Sequence, residues 1–406
     1  MIGSNPDSCL PLKGLLVLDL TRLLPGPLCT MILGDYGAEV IKVEDTVAGD
    51  PTRFVGPVIE GSGAFFRQLN RNKKSLAVNL KSEKGRDVLF RLAEKADILV
   101  ESFRPGVMDR LGLSYSDLAR VNPRLVYASI SGYGQKGPYR ERAGHDINYT
   151  AIAGLLDLSA AEDGAPVMPA VQIADIAGGS LNAINGIMFA LYRCGKSGRG
   201  SHVDIAMTRG LLPWLTYAAS SLTGSRPELP RRGSGYITGA YACYNLYKTA
   251  DGAYMSLGAL EPHFWQRFCE AVGRPQWIPL QFDPASRLEL IEEVQALFAE
   301  KNRTEWEKLF AEVDACCEPV LNLQEAGEHP VCREGGYWLD SGALKGGPEL
   351  MTGFPLLIDG AAGEVRLNPP GLGEHTIEIL KSAGYEEKNI EDMISDGVIG
   401  TCNKEK

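Results

Sequence analysis

The chain has 406 residues, 44% hydrophobic and 23% charged, with a formal net charge of −10. That length predicts two domains with sizeable cores, and the acidic balance disfavours general nucleic-acid or anionic-membrane binding, so an anionic ligand requires a local basic pocket. Nine cysteines without a CxxC pair, two of them adjacent at Cys316 and Cys317, fit neither a disulfide framework nor a zinc pattern and suit the reducing cytoplasm.

From the N-terminus, Met1 to Ser8 lacks a basic stretch followed by an apolar one, and no secretory signal is expected. Short apolar runs then alternate with amphipathic segments: a strand over Leu15 to Leu20, a helix over Pro25 to Tyr36 and a strand over Glu39 to Val43. A helix over Lys81 to Lys95 and a strand over Ile98 to Glu101 follow, then a helix around Tyr115 to Val121 and a strand over Arg124 to Ile130. Such alternation predicts an α/β domain on a mainly parallel sheet, with its ligand site beyond the carboxyl ends of the strands. The turn after the first strand, Thr21 to Pro27, has neither the three-glycine dinucleotide fingerprint nor a P-loop lysine, which disfavours a nicotinamide dehydrogenase or nucleotide hydrolase.

Gly178 to Leu191 reads as a helix rich in small residues, and Val203 to Ala206 as a strand. The apolar stretch from Gly210 to Leu222 is too short and too polar at its flanks to span a bilayer. Turn formers over 225–235 mark a boundary, predicting a large domain over 1–224, a small α+β domain over 225–334 and a C-terminal segment over 335–406. In the small domain, strands are expected at Tyr241 to Tyr247 and Tyr254 to Leu257, and helices at Phe264 to Val272, Arg287 to Lys301 and Thr304 to Val313.

Two segments carry chemistry. His145 stands in Ala143-Gly144-His145-Asp146-Ile147-Asn148-Tyr149, and Asp175 in Gln172-Ile173-Ala174-Asp175-Ile176-Ala177-Gly178-Gly179-Ser180. Apolar residues precede Asp175 and small ones follow it, which places its carboxylate near a helix N-terminus. Taken singly, either residue would pass as a cap or a packed ring. A basic run, Arg67 to Ser75, includes Arg71 and Lys73, while Phe103, Arg104 and Arg110 follow a predicted strand; planar guanidiniums there could pair with phosphate oxygens or stack on a base.

In order and spacing these segments, with Leu12 to Leu20, Pro25-Gly26-Pro27, Leu33 to Glu44, Arg104-Pro105-Gly106, Ser131 to Pro138, Gly198-Arg199-Gly200 and Thr249 to Gly252, resemble the family III CoA-transferase (CaiB/BaiF) superfamily, closest in motif to its alpha-methylacyl-CoA racemase branch. The resemblance implies a Rossmann-like large domain, a smaller α+β domain, a tail returning to the large domain, and an interlocked dimer. It matches Arg110 to a CoA-binding arginine and puts Leu23 in the adenine-proximal turn. Asp45 stands where related racemases can carry a CoA-contacting arginine, so Lys42 or Lys73 would compensate.

The implied chemistry divides in two. In the racemases, the carboxylate matching Asp175 and the histidine matching His145 face opposite sides of the substrate α-carbon, with the glutamate matching Glu261 orienting the histidine. In the transferases, the same carboxylate attacks the thioester and becomes an aspartyl-CoA thioester. No glycine-rich closing loop of the transferase type is found here, and His145 favours an acyl-CoA racemase or epimerase, with amides near Asp175 expected to hold the enolate. The expectations are an acyl-CoA substrate with no cofactor beyond coenzyme A, a homodimer or a hetero-oligomer with a paralogous subunit, and a cytoplasmic location. A family III CoA-transferase and a non-catalytic CoA-binding subunit are the alternatives.

Overall fold

In a computed structural model, the described residues are 10–159, 164–223, 229, 231–233, 235–340 and 350–402. Most of the predicted boundary at 225–235, and the stretch from Met1 to Ser8, lie outside them.

Six parallel strands form the centre of the first unit: β1 (Leu16–Leu20), β2 (Glu39–Glu44), β3 (Lys73–Val78), β4 (Ile98–Glu101), β5 (Val126–Ser131) and β6 (Ser201–Ala206). A short antiparallel strand, Ile399–Gly400, closes one edge, giving the spatial order closing strand, β3, β2, β1, β4, β5, β6. Leu18 pairs with Ile41 on one side and Leu99 on the other, and β1 to β5 are almost wholly buried, while the edge strand β6 is buried only at its end. Helices cover both faces, which is why these strands read as continuous apolar runs rather than alternating ones. The chain steps outward from β1 to β2 and β3, then returns to lay β4 against the other side of β1. That reversal creates a crevice beyond the carboxyl ends of β1 and β4, where open α/β sheets bind ligands.

Into that crevice lead the turn before α1 (Pro25–Asp35) and the loop between β4 and α3 (Val107–Leu111), α2 (Glu83–Ala93) and α4 (Tyr115–Val121) being two of the crossover helices. β5 is followed by α5 (Asp146–Ile152), and a π-helical stretch, Ala174–Leu181, runs directly into α6 (Asn182–Ser197).

β3 replaces part of the expected basic run. Its charged residues hid the strand signal, yet Lys73 is fully buried, because its ammonium finds carboxylate and carbonyl partners inside. Burial of a charge is tolerated only with such pairing.

The compact units are 1–153, 170–213 and 330–406 for the first, and 154–169 and 214–329 for the second. The predicted single large block to residue 224 therefore misses an excursion at 154–169, which Arg232 ties into the second unit by donating to the Gly164 carbonyl and lying 3.4 Å from Asp157. That unit holds a three-stranded antiparallel sheet, β7 (Tyr244–Lys248), β8 (Tyr254–Gly258) and β9 (Cys317–Pro319), with β8 central. Helices α7 (Pro262–Ala271), α8 (Arg287–Phe298) and α9 (Arg303–Phe310) bring Trp265, Phe268, Phe298, Trp306 and Phe310 into its core. The tail belongs to the first unit: Ile379 and Leu380 of α10 (Thr376–Ser382) join its core, and Arg366 donates to the Gly34 and Ala38 carbonyls.

No helix among the described residues is long and apolar enough to cross a membrane.

Candidate active site

Two adjoining cavities open at the crevice. One, of about 430 Å³, is lined by His145, Asp175, Tyr149, Gly132, Leu23 and Arg142, among others. The other, of about 730 Å³, has Arg110, Asp45 and Lys81 in its wall. Arg22, Phe103 and Arg104 line both, so the turn after β1 and the loop after β4 form their shared boundary.

His145 precedes α5 in extended conformation, and its backbone N–H donates to Asn148 Oδ1 at 3.0 Å, a side-chain bond that closes the start of the helix. The next residue, Asp146, reaches across to accept the Asp175 backbone N–H at 3.0 Å. One short helix start thus places the imidazole and ties down the segment that carries the carboxylate.

Asp175 is the second residue of the π-helical stretch and is half-buried. Burial first, then repulsion from Asp146, push its carboxyl up to about 6, against the pull of His145. A π-helical segment widens the backbone and is often found where function requires an unusual side-chain position. Here it also needs small residues: a Cβ on Gly178 would lie 2.4 Å from the Met207 carbonyl oxygen, and one on Gly179 would lie 2.9 Å from Pro25. Ser180 donates to the Pro25 carbonyl at 2.7 Å, holding the segment against the start of α1.

Tyr149, one turn after His145, packs edge-on to Tyr133 with centroids 5.2 Å apart and donates its hydroxyl to the Gly144 carbonyl. Burial, then the Asp175 charge, push this phenol up to about 12, so it stays protonated near neutral pH. Glycine at 132 is required for that packing, since a Cβ there would sit 2.4 Å from the ring.

The cavities bring together His145, Asp175, Leu23, Phe103 and Arg104, with Arg110 beyond the shared boundary. Glu261 lies in the second unit, where it is exposed and stands just before α7 without a side-chain capping bond.

Three expected cations are placed otherwise. Lys42 is fully buried against Asp50 at 3.0 Å, Lys73 against Asp19 at 2.9 Å, and Arg71 clasps Asp35 through two nitrogens at 2.9 and 2.7 Å. At Asp19, burial pushes the carboxyl up but Lys73 and Lys42 outweigh it, holding the group well below the usual carboxylate range. These side chains serve as internal ion pairs rather than as the cavity's basic wall, and Lys42 and Lys73 do not compensate for Asp45. Asp45 itself accepts the Val47 and Ala48 backbone N–H groups, both at 2.9 Å, shaping its loop. The amides at Asp175 and Ile176, expected to hold an enolate, are committed to Asp146 and to the Gln172 carbonyl.

Sequence reasoning passed over Arg22, Asp146, Tyr149, Arg140 and Arg142, all at or beside the smaller cavity. Asp146 and Tyr149 were within reach of it, since they stand one and four places after His145 in the same motif and so share its helix.

Residues 12–376 match the family described as CoA-transferase family III. An alpha-methylacyl-CoA racemase from Mus musculus is 36% identical over 393 residues, covering 96% of this chain and 97% of the relative. A succinyl-CoA:glutarate CoA-transferase from the same organism is 35% identical over 404 residues, covering 98% and 92%. Among solved structures, a CAIB/BAIF family protein from Brucella suis superposes with a TM-score of 0.80 at 28% identity, covering 93% of this chain and 100% of the other.

Proposed function

Because the chain belongs to CoA-transferase family III, whose relatives here are racemases and CoA-transferases and therefore enzymes, we propose that it is an acyl-CoA racemase or epimerase working at the carbon next to the thioester. The observation that carries this reading is the imidazole of His145 and the carboxyl of Asp175 lining one cavity. The thioester acidifies the α-hydrogen; one group, as base, removes it and keeps it, while the other, as acid, delivers its own proton to the opposite face, so both directions need a base and an acid. A carboxyl poised at about 6 can take either part near neutral pH. Coenzyme A enters as part of the substrate, its phosphates toward Arg110 and the shared residues Arg22 and Arg104, its thioester in the smaller cavity. Glu261 is proposed to orient His145, as the racemase motif implies. Assembly as a homodimer or with a paralogous subunit, and a cytoplasmic location, complete the proposal.

The second reading is a CoA-transferase in which Asp175 attacks the thioester. It is favoured by the 35% identity to a transferase over nearly the whole chain and by the placement of Asp175 in the cavity wall. Incubation with a panel of 2-substituted acyl-CoA esters in deuterium oxide, with and without free carboxylic acids, separates the two. The racemase reading requires deuterium at the α-carbon without an acceptor acid. Transfer of CoA to an acid, with hydroxylamine trapping an acylated Asp175 and no α-deuterium, would overturn it. If neither reaction appears until a paralogous chain is added, the non-catalytic reading replaces both.

A further inference from the structure

The turn Thr21-Arg22-Leu23 forms part of the boundary between the two cavities, and side chains grip it at every amide. Thr21 N–H donates to Asp19 Oδ1 at 3.0 Å, Arg22 N–H to Ser102 Oγ at 3.1 Å and Leu23 N–H to Asp50 Oδ1 at 3.2 Å. Lys42 adds a fourth hold, donating to the Thr21 carbonyl at 3.1 Å and to Asp50 Oδ2 at 3.0 Å. Leu23 needs such a hold, because its φ is +67°, the left-handed region that a leucine avoids. Its side chain is nevertheless 44% exposed, so no packing of the leucine into a core accounts for the conformation. Strained backbone of this kind persists only where its surroundings over-determine it.

Asp50 is well built for the purpose. It is fully buried, its Oδ1 also accepts the Thr52 N–H at 3.0 Å and the Thr52 hydroxyl at 2.8 Å, and its own N–H donates to Glu44 Oε1 at 3.0 Å. Glu44 is fixed in turn by a two-pronged bond from Arg53 at 2.8 and 2.7 Å. The buried charges beneath the crevice thus converge on one exposed turn.

We propose that Asp50 is a positioning residue for coenzyme A: by holding the Leu23 amide it keeps the turn in its left-handed form and keeps Arg22 and Leu23 at the cavity walls. This rests on the reading that the cavities take coenzyme A. Asp50 acts through the backbone of the turn and is itself no ligand of the reacting atoms.

The test is calorimetric titration of free coenzyme A into the full chain, with thermal melting of each variant. If the wild-type chain binds no coenzyme A, the functional reading fails first. Given wild-type binding, Asp50→Ala should weaken it by about tenfold or more, whereas Asp50→Asn, which keeps an oxygen for the Leu23 amide, should bind within about threefold of wild type while melting lower because Lys42 loses its counter-charge. Leu23→Asn gives up the leucine side chain at the cavity wall, so alone it should weaken binding; because asparagine tolerates the left-handed form, it should strengthen binding when added to Asp50→Ala. If Asp50→Ala does not fold, Lys42→Met/Asp50→Ala, which removes the orphaned charge, takes its place. Wild-type affinity in the alanine variant, equal losses in Ala and Asn, or no change of sign for Leu23→Asn would each overturn the proposal.

Discussion

At the scale of single residues, the electrostatics of Asp175 make a directional prediction. Repulsion from Asp146 helps raise its carboxyl to about 6, so the carboxylate form grows as pH rises through that value. The acid limb of kcat/KM should therefore fall near pH 6. Asp146→Asn keeps an oxygen for the Asp175 amide but removes the charge, so the limb should move to lower pH; an unchanged profile would show that the limb belongs to another group. Arg110 makes a second prediction. It lines the larger cavity, and its replacement by alanine should weaken coenzyme A binding by about 1–3 kcal/mol without loss of folding, as for a charge-assisted hydrogen bond. Unaltered affinity by calorimetry would remove it from the site. At this scale the motif residues His145, Asp175, Phe103 and Arg104, far apart in sequence, come to line one cavity. Lys42, Arg71 and Lys73 lie instead in buried ion pairs, because a cation reads the same in sequence whether it faces solvent or a buried carboxylate.

At the scale of elements, the carboxylate depends on how closely the π-helical stretch approaches the segment at Met207. A methyl at position 178 would meet the Met207 carbonyl oxygen at 2.4 Å, and backbone cannot yield cheaply. Gly178→Ala should thus cost about 1–3 kcal/mol of stability in denaturant titration, as overpacking does, and should lower activity beyond that loss by moving Asp175. Wild-type stability in this variant would mean that the contact is not so tight. The strand and helix alternation of the first 130 residues was legible because fully buried parallel strands are short apolar runs between amphipathic helices. β3 escaped because two lysines begin it, and β9 because three residues carry no usable period. The π-helical opening of the Asp175 segment has no periodic signature distinct from that of the α-helix it joins.

At the scale of the whole molecule, a net charge of −10 coexists with five arginines on the walls of two adjoining cavities: Arg22, Arg104, Arg110, Arg140 and Arg142. Local concentration of positive charge meets the demand that an acidic protein makes of an anionic ligand site. The route of the chain was the least legible level, since the excursion at 154–169 and the crossing at 214 follow from long-range contacts such as that of Arg232, not from local composition. The tail has a structural role in the first unit: Ile399 pairs with Val78 at the sheet edge, and Ile379 and Leu380 fill the core. Truncation after Gly335 should consequently leave insoluble protein, because it strips one core of its cover; a soluble truncated chain that still binds coenzyme A would contradict this.

The central claim, that His145 and Asp175 act from opposite faces of the α-carbon, one taking its hydrogen and the other delivering a solvent-derived proton, is tested most directly by inversion with deuterium incorporation. Wild-type and His145→Ala proteins would be incubated with the same 2-substituted acyl-CoA in deuterium oxide, after coenzyme A binding and melting confirm that both are folded. The account predicts that the substitution reduces conversion of one epimer into the other, with deuterium at the α-carbon, by about 10²–10⁴-fold, the loss typical of a general base, with coenzyme A affinity nearly unchanged. Epimerisation at the wild-type rate in His145→Ala would contradict it.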